Sequence, residues 1–210
     1  MRRPMAKFED LLGGYRRFRA DDWERERARW SELAQGQSPK VMVIGCSDSR
    51  VDPSRIFDAA PGTMFVVRNV AALVPPYEVG GGRHGVSAAL EFAVTQLRVE
   101  EIVVLGHGAC GGCAAALSGQ FAQADPGEGG FLARWLHILD DARERVRTGD
   151  GTTDEMEREA VRASLANLRT FPFVREAEAA GALALHGAHF AIADGMLRTL
   201  DEASGRFAPA

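Results

Sequence analysis

Two short apolar runs constrain this chain more than any other feature, because each is closed by a glycine and then by a side chain able to bind a metal. Residues 41–44 (VMVI) lead into Gly45 and Cys46, and residues 102–105 (IVVL) lead into Gly106 and His107. Apolar runs of this length, bounded by turn residues, read as buried strands. Residues 63–70 (TMFVVRNV) form a further strand, and residues 86–97 carry the apolar spacing of a helix. Strands alternating with helices imply βαβ units. The expected fold is therefore α/β, a mostly parallel central sheet flanked by helices.

The remaining segments complete that outline. Phe8, Leu11, Leu12, Tyr15 and Phe18 recur at helical spacing, and Trp23 and Trp30 extend the stripe to about Leu33, with Gly13 and Gly14 weakening its start. Helices are expected over 131–147 and 154–168, and a strand over 183–192. Ala193, Asp194 and Gly195 then turn the chain into 196–200, an antiparallel edge. Pro75, Pro76 and Gly80 to Gly82 mark an irregular connection, and 118–130 a glycine-rich loop; neither separates domains. A chain of 210 residues suits one core, read as a single domain over 1–210 with a helical arm (1–35) and an α/β core (36–210).

Charge and composition exclude several classes. A net charge of −4 gives no concentrated basic surface for nucleic acid. Arg16, Arg17 and Arg19 are interleaved with Asp21, Asp22, Glu24 and Glu26, which reads as a solvated helix face. No stretch approaches the roughly 18 to 20 apolar residues of a membrane span, and MRRPMAKFED lacks the apolar core of a secretory signal, so a cytoplasmic location is expected. Cys46, Cys110 and Cys113 are an odd set for a disulfide framework and direct attention to metal binding or thiol chemistry.

Cys46 and His107 follow strands whose carboxyl ends face one crevice in a parallel sheet. Cys110 lies three residues beyond His107, so at a helix start the two share a face. Two thiolates and an imidazole suit tetrahedral zinc, whose fourth position stays open to water in catalytic sites. Taken singly, a buried Cys is also a small hydrophobe and a His a satisfied polar residue; it is their coincidence that favours a site. In Cys46-Ser47-Asp48-Ser49-Arg50, the carboxylate can accept from a metal-bound water and the guanidinium can orient it; the spacing fits a surface ion pair equally well.

Other readings compete. Gly106-x-Gly108-x-x-Gly111 satisfies a dinucleotide-binding fingerprint with Asp125 downstream, the signature of an oxidoreductase, and Gly80-x-Gly82-x-x-Gly85 is a weaker match. Cys110-Gly-Gly-Cys113 has the spacing of a redox-active thiol pair. Cys113 as a fourth ligand would close the zinc site and make it structural, whereas packing of the helix is its simpler role.

Together, CSDSR at 46–50 and His107-x-x-Cys110-Gly111-Gly112 resemble the signature of the β-class carbonic anhydrases. The similarity runs from Gln37 to Leu117 through SDSRVDPS, PGTMFVVRNVA, SAALEFAV and IVVLGHGACGG. The resemblance implies reversible hydration of carbon dioxide to bicarbonate by a zinc-bound hydroxide. It implies one zinc held by Cys46, His107 and Cys110, a catalytic dyad of Asp48 and Arg50, and a substrate pocket with Gln37, Phe65, Val70, Phe92 and the Gly111 amide. It also implies a homodimer or larger even-numbered oligomer in which the N-terminal helix embraces its neighbour. Gln37 matches the plant-like branch, in which the fourth zinc position is open rather than filled by the aspartate. Phe92 stands where that branch has tyrosine, Gly108 replaces the usual serine, and Ala72 replaces a usual asparagine. These changes bear on rate. Hydrolysis of a related small molecule such as carbonyl sulfide, or a zinc site with little hydratase activity, is the alternative. His84, in the flexible glycine-rich segment, is a candidate proton relay, though a surface histidine fits there as well.

Overall fold

Strand register, rather than strand identity, brings the candidate ligands together. The computed structural model describes residues 7–80, 84–125, 127–149 and 151–210. By internal contacts the chain divides into two units, Met1–Gln37 and Ser38–Ala210.

The first unit is helical: α1 (Phe8–Ala20), α2 (Asp22–Arg25) and α3 (Arg27–Leu33). The expected single stripe is thus broken at Asp21 and Glu26, each of which serves as a helix boundary. Phe18 and Trp30 meet edge to face at 5.8 Å, and the Arg19 guanidinium lies 3.8 Å from the Trp23 ring centre, a cation–π contact. Phe8, Leu11 and Tyr15 stay exposed.

The second unit holds a six-stranded sheet in the order β2-β1-β3-β4-β5-β6. β1 (Val41–Cys46), β2 (Met64–Asn69), β3 (Glu101–His107) and β4 (Ala184–Ala191) are parallel; β5 (Met196–Asp201) and β6 (Arg206–Pro209) are antiparallel. Alternation sorts the side chains. Met42, Ile44, Ile102 and Val104 pack on one face with Val161, Leu165 and Leu168, while Val43 and Leu105 pack on the other.

Helices fill the crossovers. α4 (Pro53–Ile56) starts at Asp52, whose carboxylate accepts from the Ser54 and Arg55 amides at 2.9 and 3.3 Å. α5 (Gly85–Glu91) continues into a π-helical stretch, Phe92–Leu97, ended by Arg98 at φ 53°. α6 (Gly111–Ser118) follows directly on Cys110. The helix expected over 131–147 is instead α7 (Gly130–Leu136), a tight turn at His137–Leu139, and α8 (Asp140–Thr148). The break lets Leu136 and Leu139 enter the same core cluster and sets Asp140 and Asp141 at the positive start of α8. α9 (Thr153–Leu168) is capped by Thr152, and α10 (Pro172–Ala179) begins on Pro172, whose fixed φ suits a first helical position. α10 and β6 were not expected from the sequence. No described helix is long and apolar enough to cross a membrane.

Candidate metal centre

Cys46 ends β1 and His107 ends β3. The parallel register pairs Gly45 with Leu105, so the two residues emerge side by side at the carboxyl ends of adjacent inner strands. Ala109 then adopts φ 56°, a left-handed conformation that costs an L residue roughly 1–2 kcal/mol. That turn brings Cys110 back beside Cys46 and His107 just before α6. The ligand atoms of Cys46, His107 and Cys110 all lie within 4.8 Å of one another, and the residues are 6, 1 and 2 % exposed.

His107 Nδ1 lies 2.9 Å from the Gly108 carbonyl oxygen, a bond in which the nitrogen donates. This leaves the Nε2 lone pair free, and Nε2 is buried with no hydrogen-bond partner. What distinguishes it from other buried nitrogens is the pair of cysteines grouped with it, a donor set that suits a metal ion. In the protein alone, contact with Cys110 and burial push the Cys46 thiol up to about 12; contact with Cys113 and burial push Cys110 likewise to about 12. Two neighbouring thiolates thus need a cation. Burial lowers the His107 pKa, but its contacts with Cys46 and Gly108 outweigh burial and leave it raised.

Asp48 receives three bonds from Arg50: the backbone amide and Nε at 2.9 Å to Oδ1, and Nη2 at 2.6 Å to Oδ2. The Arg50 side-chain and backbone donors hold the carboxyl well below the usual carboxylate range. Arg50 also donates to the Ala109 carbonyl at 3.0 Å, linking the two ligand loops.

Arg68 on β2 was overlooked in the sequence. It donates to the carbonyls of Cys46 (2.8 Å), Asp48 (2.7 Å) and Val51 (3.2 Å) and bridges to Asp52, fixing the 46–52 loop. An arginine inside an apolar strand was the available signal. Glu157 was overlooked also, although it lies on the apolar stripe of α9 one turn before Val161.

The remaining expected residues divide. Val70 begins a short 3₁₀ turn, and a Cβ on Gly112 would lie 2.9 Å from its Cγ1, so it borders α6. Phe65 and Phe92 pair with each other at 5.9 Å; Phe65 packs on the cluster of Met42 and Ile44, whereas Cys46 and Cys110 belong to another. Open space surrounds the position a Gly111 side chain would take. Gln37 closes the helical unit and is exposed. His84 lies 3.7 Å from Glu78. Cys113 is buried and does not join the ligand group. Asp125 lies between α6 and α7 rather than at a strand end, so the dinucleotide pattern lacks its acidic partner. Gly81 and Gly82 of the second such pattern fall outside the described residues.

Residues 41–197 match a family model described as carbonic anhydrase. Beta carbonic anhydrase 3 of Arabidopsis thaliana is 38% identical over 192 residues, covering 87% of this chain and 72% of the relative. Among solved structures, the β-carbonic anhydrase CcaA superposes with a TM-score of 0.90 at 29% identity, covering 98% of this chain and 100% of that one. A tetrameric β-carbonic anhydrase from Sordaria macrospora gives 0.76 at 30% identity, with coverage of 92% and 96%. With a cysteine–histidine–cysteine cluster at the carboxyl ends of its parallel strands, a match over most of its length and these relatives, the chain belongs to the β-carbonic anhydrases, enzymes that reversibly hydrate carbon dioxide.

Proposed function

We propose that Cys46, His107 and Cys110 hold one zinc ion and that hydration of carbon dioxide to bicarbonate takes place beside it. The observation that carries the assignment is the buried, unpartnered His107 Nε2 within reach of two cysteine sulfurs. Zinc at such a site supplies a Lewis acid that lowers the pKa of a coordinated water to about 7.

Asp48 is the hydrogen-bond acceptor that orients the attacking oxygen. Arg50 keeps it ionised and aims it through a bidentate, charge-assisted contact. Val70, Phe65 and Phe92 supply the apolar surroundings of carbon dioxide, while Gln37 and the Gly111 amide receive the bicarbonate oxygens. For Gln37, Phe65 and Phe92 the resemblance to the family is the support; for Gly111 the open space beside it adds to that. The resting site is the open form, with Asp48 held by Arg50 instead of serving as a ligand.

Residues 36–210 act as the catalytic core, with 1–35 as an arm. Exposed Phe8, Leu11 and Tyr15 on the arm and Val66 and Phe92 on the core support assembly into a homodimer or larger even-numbered oligomer. Three free, buried cysteines suit a reducing compartment, and we place the protein in the cytoplasm.

Zinc analysis combined with stopped-flow hydration of carbon dioxide tests the assignment on the wild type and Asp48→Ala. One zinc per chain in both, with hydration lost only in Asp48→Ala, supports it. Zinc with equal hydration in the two proteins removes Asp48 from the reaction, and an absence of zinc in reduced protein overturns the site.

A further inference from the structure

The peptide unit joining Ala109 to Cys110 is gripped from both sides. Its carbonyl accepts from Arg50 Nη2 at 3.0 Å, and its amide, the Cys110 N–H, donates to Glu157 Oε1 at 2.9 Å. Glu157 is 2% exposed within α9, and its Oε2 lies 3.0 Å from Nε2 of His189, which is 1% exposed on β4. A carboxylate so deeply buried needs donors on its oxygens, and here an amide and an imidazole provide them. The residue it reaches lies immediately after Ala109, the strained L residue that turns the chain back toward the ion site. Strained backbone persists only where its surroundings over-determine it.

We propose that Glu157, held in place by His189, is a positioning residue that locks the Ala109–Cys110 peptide and so keeps the Cys110 sulfur directed at Cys46 and His107. Arg50 grips the same peptide from the opposite side, so one end of the clamp belongs to the dyad and the other to the interior. This rests on the reading of Cys46, His107 and Cys110 as zinc ligands. Asp154 lies close enough to form a second acidic cluster with Glu157 and His189. It is exposed and paired with Arg158 at 2.8 Å, and Glu157 already spends one oxygen on Cys110, so support of the ligand loop accounts for these residues better than a second ion does.

The role depends on reach, not on charge, and substitutions separate the two. Glu157→Asp keeps the charge and withdraws the carboxylate by one methylene. Glu157→Gln keeps the reach, with an oxygen for the Cys110 amide and an NH₂ for a His189 of the other tautomer. Leu168→Ala, a fully buried change on the same helix, sets the baseline for general destabilisation. The measurement is the rate of zinc release from the loaded full-length protein to a chromogenic chelator, with the thiolate charge-transfer band of the cobalt-substituted protein as a second readout. Loss of an outer support typically weakens metal binding by about 10–100-fold, so Glu157→Asp is expected to release zinc about tenfold faster and to shift the cobalt band. Glu157→Gln and Leu168→Ala are expected to stay near wild type in both readouts. Release from Glu157→Asp at the wild-type rate, or equal acceleration in Leu168→Ala, overturns the inference while leaving the zinc site standing. A wild type that binds no zinc overturns the underlying assignment instead.

Discussion

Val161 of α9 faces two strand glycines, Gly106 on β3 and Gly187 on β4, and Gly106 lies immediately before His107. A Cβ on Gly106 would stand 2.7 Å from Val161 Cγ2, which is 0.7 Å inside the 3.4 Å at which ordinary contact begins. The Glu157 and Ala188 carbonyls, at 3.5 and 3.7 Å from the same point, close the other directions, and Val161 is 1% exposed. Overpacking of this kind costs about 1–3 kcal/mol, and we expect about 2 for Gly106→Ala. Val161→Ala removes two buried carbons, each worth about 0.8 kcal/mol, and leaves a small void, so it too is expected to cost about 2 kcal/mol. In the double variant the methyl at 106 enters the space vacated at 161. The combined loss should therefore stay near 2 kcal/mol, a coupling of about 2 kcal/mol and within the range seen for residues in contact. Urea unfolding at fixed protein and zinc concentrations measures all three variants. Losses that add to within about 0.5 kcal/mol would show that Val161 does not meet Gly106 and would refute the close approach of α9 to β3.

Four further outcomes are expected. Arg50→Gln frees Asp48 to rotate while its carboxyl, rising toward the ordinary range, stays ionised at neutral pH; kcat/KM for hydration should fall by about 10²-fold at pH 8, and an unchanged value would show that orientation by Arg50 is dispensable. Asn69 brackets the left-handed Ala71 and Ala72 by bonding both the amide and the carbonyl of Leu73 at 2.8 Å, so Asn69→Ala should cost about 1–3 kcal/mol in chemical unfolding. Cys46 and Cys110 are protonated in the metal-free protein to about pH 12, against an ordinary 9.0, so zinc must displace two thiol protons, besides any lost from its coordinated water, and its apparent affinity should rise by at least about 100-fold per pH unit between roughly pH 7 and 9. The same raised values mean that the metal-free fold binds more protons than the unfolded chain above pH 9, and its stability should decline from there upward, which a pH series of denaturant midpoints checks.

The cluster of Cys46, His107 and Cys110 was legible because strand ends and the spacing from His107 to Cys110 are local properties of the chain. The four parallel strands were legible as apolar runs, and the antiparallel edge through the turn at Asp194. α10 escaped because Pro172 was not read as a helix start, although proline favours that position. β6 is a four-residue strand whose pairing with β5 carries little pattern of its own. Arg68, Glu157 and His189 were missed for a different reason: each acts on residues far along the chain, and only the packing of β2, α9 and β4 around the ligand loops gives them their partners. The break between α7 and α8 likewise depends on where Leu136 and Leu139 find a core.

Zinc K-edge absorption on the reduced, zinc-loaded protein near pH 8 tests the central assignment most directly, because it counts the donors around the ion. The account predicts two sulfurs at about 2.3 Å, one nitrogen at about 2.0–2.1 Å and one further oxygen, unchanged in Cys113→Ser. A third sulfur that disappears in Cys113→Ser would mean a closed, structural site, and would contradict the assignment of Cys46, His107 and Cys110 as the whole protein share of a catalytic centre.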